Sequence, residues 1–149
     1  MSPVKLHESP SLDIYSALTE TELSLPLASS KVSAGFPSPA SDFTDVSIDL
    51  NKDLIKHPAS TYFGRVRGDS MKDVGISDND LLVIDKSLDP DDGKIAVCFI
   101  DGEFTVKRIQ RTKDGCYLVP ANPAYQPIHV TKDNDFVIWG IVTHVIKSF

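Results

Sequence analysis

The residues of this chain that could do chemistry stand singly and far apart, and the first of them is Ser70. It lies in the run GDSM, directly after Gly68 and Asp69. A serine in such a position is most often a helix cap. It can also be a nucleophile, because flanking backbone N–H groups on a turn can hold an oxyanion. A serine nucleophile needs a base. None of the four histidines has a suggestive local context, although spacing alone excludes none of them.

Lys107 is the second candidate, in the alternating run DGEFTVKRIQ. The period of two puts it on the same face as Thr105, which predicts a solvated lysine. Its neighbours Val106 and Ile109 are apolar, however, and an amine among apolar groups loses its charge because burial disfavours the ammonium. A neutral amine can accept a hydroxyl proton, but lowering its pKa from about 10.4 to about 7 takes roughly 4 kcal/mol. A catalytic Lys107 therefore has to be covered, and periodicity alone does not pair it with the serine.

The elements that must position these residues are predicted to be strands, over a β-rich domain of residues 43–149. The run VSIDLNKDLIKHP is typical of a short strand that leads into a short helix ending before Pro58. The pair Asp101-Gly102 predicts a hairpin turn. Several short strands with little helix indicate a mainly β body, either a barrel or a sandwich. The remaining runs interpreted as strands are TYFGRVRGDS, NDLLVIDKS, KIAVCFIDG, DGEFTVKRIQ, DGCYLVPAN, QPIHVTK and DFVIWGIVTHVIKSF.

The first 42 residues have a different composition and are predicted to be a mobile N-terminal arm. Half of the ten prolines fall within the first 40 residues, with only two aromatic residues, Tyr15 and Phe36. Leu23, Leu25 and Leu27 alternate and could pair briefly as an edge strand. Such a segment cannot bury enough surface by itself to offset its chain entropy.

The bulk composition excludes several classes of protein. The formal net charge of −6 argues against direct DNA binding, because phosphate contacts need clustered cations. No run of about 20 apolar residues predicts a membrane span, and the N-terminus has no signal-peptide core, so we expect a cytoplasmic protein. Cys98 and Cys116 lack metal-ligand spacing and are expected to be thiols. With scattered histidines and no glycine-rich phosphate loop, no metal or cofactor is predicted.

Several motifs in the correct order resemble the LexA/UmuD family of self-cleaving Ser-Lys proteases. They are AGFPSPA, HPASTYF, GDSM, GISDNDLLVID and DGEFTVKRIQ, and the resemblance runs from about Gly35 to the C-terminus. It implies a LexA/UmuD-like twisted β-barrel or sandwich body with a flexible arm. It also implies that Ser70 is the nucleophile and Lys107 the general base. The implied oxyanion hole consists of the amide of Ser70 and that of a neighbour, either Asp69 or Met71.

The same resemblance implies that the chain cuts its own peptide bond between Ala34 and Gly35. UmuD-type members have cysteine before the scissile glycine, whereas this chain has Ala34, as LexA-type repressors do. Glycine lets the backbone approach closely, and Pro37 and Pro39 favour an extended chain that can lie along a groove. The cut would remove residues 1–34 and leave the predicted β domain whole.

The function that the resemblance implies is a regulatory switch of the SOS DNA-damage response. A RecA filament on single-stranded DNA would stimulate the cut. The trimmed homodimer would then activate a Y-family translesion polymerase subunit (UmuC-like), with no membrane and no sequence-specific DNA binding involved. A LexA-type repressor is disfavoured because 34 residues with three prolines by position 26 cannot hold a helix-turn-helix domain. The alternative from another class is a non-catalytic interaction module with a docking tail.

Overall fold

The computed structural model describes residues 4–17, 24–28 and 44–149. The chain divides into two compact units, one formed by residues 1–17 and 57–149 and the other by residues 18–56. No helix in the described ranges is long and apolar enough to cross a membrane. The strands in chain order are β1 Lys5–His7, β2 Leu12–Ser16, β3 Ser24–Ala28, β4 Thr44–Asp49, β5 Thr61–Val66, β6 Leu81–Asp85, β7 Ile95–Ile100, β8 Glu103–Thr112, β9 Gly115–Val119, β10 Ile128–Val130 and β11 Phe136–Ile146.

The larger unit is built on one nine-stranded antiparallel sheet, which confirms the prediction of a mainly β protein. The strand order is β1-β2-β5-β6-β11-β7-β8-β9-β10. The chain's last strand therefore lies in the middle of the sheet, between β6 and β7. The hairpin predicted at Asp101-Gly102 joins β7 to β8, and both turn residues have the positive φ angles, 48° and 89°, that a tight two-residue hairpin requires.

The smaller unit contains the strand and helix that VSIDLNKDLIKHP predicted. Strand β4 leads into the helix α1, Leu50–Leu54, and the Asp49 side chain caps it by accepting a hydrogen bond from the Asn51 amide at 3.0 Å. Strand β3 pairs with β4, with Leu25 opposite Ile48. The short pairing expected from the alternating leucines therefore occurs, at Leu25 and Leu27.

The beginning of the predicted arm contains two strands that were not predicted from the sequence. Strands β1 and β2 belong to the large sheet, and β2 pairs with β5 from Leu12 opposite Val66 to Ser16 opposite Tyr62. Leu12 is 0% exposed and Ile14 1%. The apolar side chains of this segment pack against strands that come 50 and more residues later, and a local reading of the sequence does not detect such partners.

Two apolar clusters form the core, and strand β8 contributes to both. Phe104 and Val106 belong to the first cluster and Ile109 to the second. The strand is therefore covered on both faces over these positions. The first cluster contains Leu12, Ile14, Val66, Met71, Ile76, Leu82, Ile84, Val97, Phe104 and Val106. The second contains Ala96, Cys98, Ile109, Leu118 and Ile141.

Candidate active site

Ser70 lies on the turn that follows β5, and this turn is fixed from both ends. Gly68 has a φ of 90°, in the region that favours glycine, and its amide donates to the Asp78 carboxylate at 2.8 Å. The Ser70 carbonyl accepts from the amide of Ala121 at 2.8 Å, and the next residue, Met71, is buried. Met71 is also the residue that precedes the short 3₁₀ turn Lys72–Val74. Ser70 is therefore not the helix cap that its local sequence favours, and its hydroxyl is available for another role.

Lys107 lies beside this hydroxyl, 37 positions later in the chain. Its Nζ is 3.0 Å from the Oγ of Ser70. The lysine is only 7% exposed, so the solvated face predicted from alternation is wrong. Burial lowers the pKa of the amine, because desolvation disfavours the ammonium. Among the described residues no acidic side chain forms an ion pair with Lys107 that would restore its charge.

Two further contacts orient the Lys107 amine. Its Nζ donates to the Oγ1 of Thr105 at 2.7 Å and to the backbone carbonyl of Val106 at 3.1 Å. A neutral amine has two N–H bonds and one lone pair. When the neutral amine directs both N–H bonds to Thr105 and Val106, the position that contacts the Ser70 Oγ at 3.0 Å is left to the lone pair. Sequence reasoning placed Thr105 on the lysine's face but gave it no role.

Cys98 lies opposite Thr105 on the neighbouring strand β7, close to this arrangement. Cys98 is a free thiol, as is Cys116. Burial raises the pKa of Cys98 to about 12. Cys98 by itself raises the pKa of Lys107, but burial of the amine is the larger effect and the pKa of Lys107 is lowered.

The turn also offers donors for an oxyanion. Among the hydrogen bonds of the described residues, the backbone N–H groups of Asp69, Ser70 and Met71 have no acceptor. Unengaged amides on both sides of a hydroxyl can bind the oxygen of a tetrahedral intermediate. Both of the neighbours considered from the sequence, Asp69 and Met71, thus retain a free donor.

The loop between β9 and β10 braces this turn, a contact that sequence reasoning missed. The Asn122 side chain donates to the Asp69 carbonyl at 3.0 Å, and the Tyr125 hydroxyl donates to the Asp69 carboxylate at 2.8 Å. The hydrogen bond to that carboxylate raises the pKa of Tyr125. The only sequence signal here is the turn composition of NPAYQP, which does not specify a contact with residue 69.

Ser70 and Lys107 open into a cleft of about 310 Å³. No histidine is among its described lining residues, and His57 pairs elsewhere, with Asp85 at 2.5 Å. The described lining residues are Pro10, Ser11, Arg67, Gly68, Asp69, Ser70, Thr105, Lys107 and Tyr125. Ala34 and Gly35, the predicted cleavage site, lie outside the described residues.

Comparisons with known proteins identify the family of this chain. Residues 26–143 match the model of the Peptidase S24-like family. The chain is 46% identical over 123 residues to Protein SamA of Salmonella typhimurium, covering 83% of this chain and 85% of the relative. It is 43% identical over 122 residues to Protein MucA of Escherichia coli, covering 81% and 83%. It is 36% identical over 146 residues to the LexA repressor of Stenotrophomonas maltophilia, covering 97% and 68%.

The family match spans most of the chain, from within β3 to within β11, and therefore includes the turn of Ser70 and the strand of Lys107. The resemblance inferred from the sequence motifs is confirmed. The chain belongs to the Peptidase S24-like family, the self-cleaving serine peptidases of the LexA/UmuD type.

Proposed function

We propose that this chain is a serine endopeptidase that cuts itself once, with Ser70 as the nucleophile and Lys107 as the general base. The observation that carries the proposal is the 3.0 Å contact between the Ser70 hydroxyl and a buried lysine whose pKa is lowered. A buried amine without an ion-pair partner is a poor structural element, because its burial costs free energy that no opposite charge offsets. Its value is as a base, because the lowered pKa favours the neutral amine that can accept a proton.

The mechanism follows from the direction of the lone pair. The neutral amine takes the proton of the Ser70 hydroxyl as Oγ attacks the carbonyl carbon of the scissile bond. The oxyanion that forms accepts hydrogen bonds from the amide of Ser70 and from that of Asp69 or Met71. The Lys107 ammonium then returns its proton to the leaving amine, and the C–N bond breaks. Water, deprotonated by the same lysine, hydrolyses the acyl-enzyme.

The substrate bond is the one between Ala34 and Gly35, in the N-terminal arm of residues 1–42. Small side chains on both sides suit a narrow cleft, and Gly35 has no Cβ to keep the backbone from the hydroxyl. The cut separates residues 1–34 from the catalytic and dimerisation domain of residues 43–149. Since each chain carries one such bond, the reaction is a switch.

The switch operates in the cytoplasm, in SOS mutagenesis. A RecA filament on single-stranded DNA stimulates the cut, and the trimmed homodimer activates a Y-family translesion polymerase. Support for these partners comes from the family resemblance and from the similarity to MucA and SamA. No contact among the described residues bears on them.

The test is mass spectrometry of the purified chain, incubated with and without an activated recombinase filament. We expect a fragment that lacks residues 1–34, and more of it with the filament. Ser70→Ala and Lys107→Ala each abolish that fragment, because one removes the nucleophile and the other the base. The matched controls are Ser148→Ala and Lys113→Ala, both exposed, which cut at the normal rate.

A Ser70→Ala chain that still loses residues 1–34 would remove Ser70 from the mechanism. A wild-type chain that stays intact under every condition, while binding its partners normally, would favour the non-catalytic interaction module. Circular dichroism of each variant distinguishes a lost base or nucleophile from a lost fold.

A further inference from the structure

The proposed cut has a consequence for the sheet, because β1 and β2 both lie before the cleavage site. We propose that loss of residues 1–34 uncovers the edge of β5 as a docking site for an extended strand of a partner protein, one with an acidic residue between two apolar residues. The inference rests on the proposed function for the cut itself. The form of the site is argued from the strand that occupies it before the cut.

All five residues of strand β2 pair antiparallel with β5 before the cut. Five residue pairs run from Leu12 opposite Val66 to Ser16 opposite Tyr62, and the amide of Arg67 extends the ladder by donating to the carbonyl of Ser11 at 2.9 Å. On its other side β5 pairs with β6. Removal of β2 therefore leaves one row of unpaired backbone donors and acceptors, which is the template for strand addition.

The edge of β5 favours a partner strand that has apolar side chains at alternate positions. Leu12 and Ile14 are buried in the first core cluster, and Gly64 of β5 makes room for them. A Cβ on Gly64 would come within 2.9 Å of the Leu12 Cδ1. When β2 leaves, Val66 and Phe104, which share that cluster, lose part of their cover. An empty edge thus exposes apolar surface that an incoming strand can bury.

The edge also selects an acidic residue between the two apolar ones. Asp13 is 3% exposed, and its carboxylate accepts from the Arg67 guanidinium at 2.5 Å. Lys5 lies 3.3 Å from the same carboxylate, and Glu8 lies 3.6 Å from Arg67. Among the described residues, every acidic partner of Arg67 lies on the part that is removed. The cut therefore leaves a guanidinium at the edge without its counter-charge.

This charge favours a different protein over a second copy of the chain as the occupant. The edge strand and its continuation, TYFGRVR, carry Arg65 and Arg67 and no acidic residue. Pairing β5 with β5 of another copy would bring cations together with nothing to neutralise them. A partner strand with the pattern of Leu12-Asp13-Ile14 satisfies the backbone, the apolar groove and the guanidinium at once.

The experiment separates the docking site from the self-cleavage. In a full chain with Ser70→Ala, residues 29–34 are replaced by the recognition sequence of an added site-specific protease, so that the nick does not depend on Ser70. Native mass spectrometry follows release of the N-terminal fragment. Fluorescence anisotropy then measures capture of a labelled peptide with the sequence of residues 4–17, VKLHESPSLDIYSA. We expect the fragment to be released on dilution, the nicked protein to capture the peptide when the peptide is added in excess, and the uncut chain not to capture it.

A charge exchange tests the specificity. An Asp13→Lys peptide should bind at least about tenfold more weakly, because it places a cation against Arg67. A chain that carries both Arg67→Glu and Asp13→Lys keeps an ion pair before nicking, and after nicking it should prefer the Asp13→Lys peptide. A fragment that stays bound on dilution would overturn the proposal. It would also be overturned if the nicked protein, after release of the fragment, bound neither peptide or dimerised through β5. The same holds if the charge-exchanged protein still preferred the wild-type peptide.

Discussion

At the scale of single residues, the proposed chemistry of this cleft depends on the three contacts of the Lys107 nitrogen. Two are taken by Thr105 and Val106, which accept its N–H bonds, and the third faces Ser70. The sequence indicated that a catalytic Lys107 must be covered, from its apolar neighbours. It did not indicate the pairing with Ser70, since residues 37 positions apart on different elements meet only through the sheet.

The first residue-scale prediction concerns pH. Burial lowers the pKa of Lys107, so the ammonium persists only at pH values below that lowered pKa, where it cannot accept a proton. The rate of self-cleavage should therefore rise by about tenfold per pH unit below that pKa and level off above it. Densitometry of the trimmed chain against time, at a series of pH values, measures this. A profile that is flat from neutral to alkaline pH would contradict it.

The second prediction concerns Thr105. Thr105→Val keeps the shape of the side chain but removes the oxygen that accepts from Nζ at 2.7 Å. The amine then rotates more freely and its lone pair is less often directed at the hydroxyl, so cleavage should slow by about 10- to 100-fold. Thr105→Ser, which restores an acceptor, should recover most of the rate. Equal rates for the valine and serine variants would show that the hydroxyl does not position the amine.

At the scale of elements, strands β8 and β2 show what a local reading of the sequence can and cannot detect. The β7–β8 hairpin was predictable because its turn residues are adjacent in the chain. The burial of β8 on both faces was not, since one of its faces is covered by strands distant in the sequence. Strand β2 was missed for the same reason: only Leu12 and Ile14 carry its alternation, and their partners begin with Val66.

Gly140 in β11 gives a prediction at this scale. It follows an irregularity in the pairing of β11 with β7, and a Cβ placed on it would lie 2.6 Å from the Cγ2 of the buried Ile84. Gly140→Ala should therefore lower the free energy of unfolding by about 1–3 kcal/mol. In an Ile84→Leu background, which lacks that methyl branch, the alanine should cost less. Urea unfolding of the four proteins measures the difference, and identical costs in both backgrounds would contradict the steric explanation.

At the scale of the whole molecule, two buried carboxylates make stability depend on acid. Burial opposes ionisation of Asp85, but hydrogen bonds from Ser87, His57 and Ser60 outweigh it and hold its pKa below the ordinary value. For Asp13, burial is likewise outweighed, here by Arg67 and Lys5, and its pKa is also lowered. A carboxyl with a lowered pKa in the folded state contributes stability above its ordinary pKa, and this contribution is lost as the pH falls through the folded value.

We therefore expect the thermal unfolding midpoint of the intact chain to fall as the pH drops below about 4. Asp85→Asn should have a lower midpoint at neutral pH, because an amide nitrogen replaces the Oδ2 that contacts His57 Nδ1 at 2.5 Å. The neutral oxygen that remains is also a weaker acceptor for the three hydrogen bonds from Ser60 and Ser87. Its midpoint should also change less on acidification. Asp133→Asn, at an exposed position, is the control and should follow the wild type. If the midpoints of Asp85→Asn and the wild type fall by the same amount on acidification, Asp85 is excluded as a source of the acid sensitivity.

The wall of the cleft beside Ser70 includes Pro10 and Ser11, and the Ser11 hydroxyl donates to the carbonyl of Phe104 at 2.8 Å. Both residues precede the proposed scissile bond, so they depart with the product. The proposed cut would thus remove part of the cleft wall from the chain that is cut, and the trimmed chain would no longer hold a second peptide in the same way. The amount of trimmed protein in a cell would then record the number of cuts one for one, without catalytic amplification.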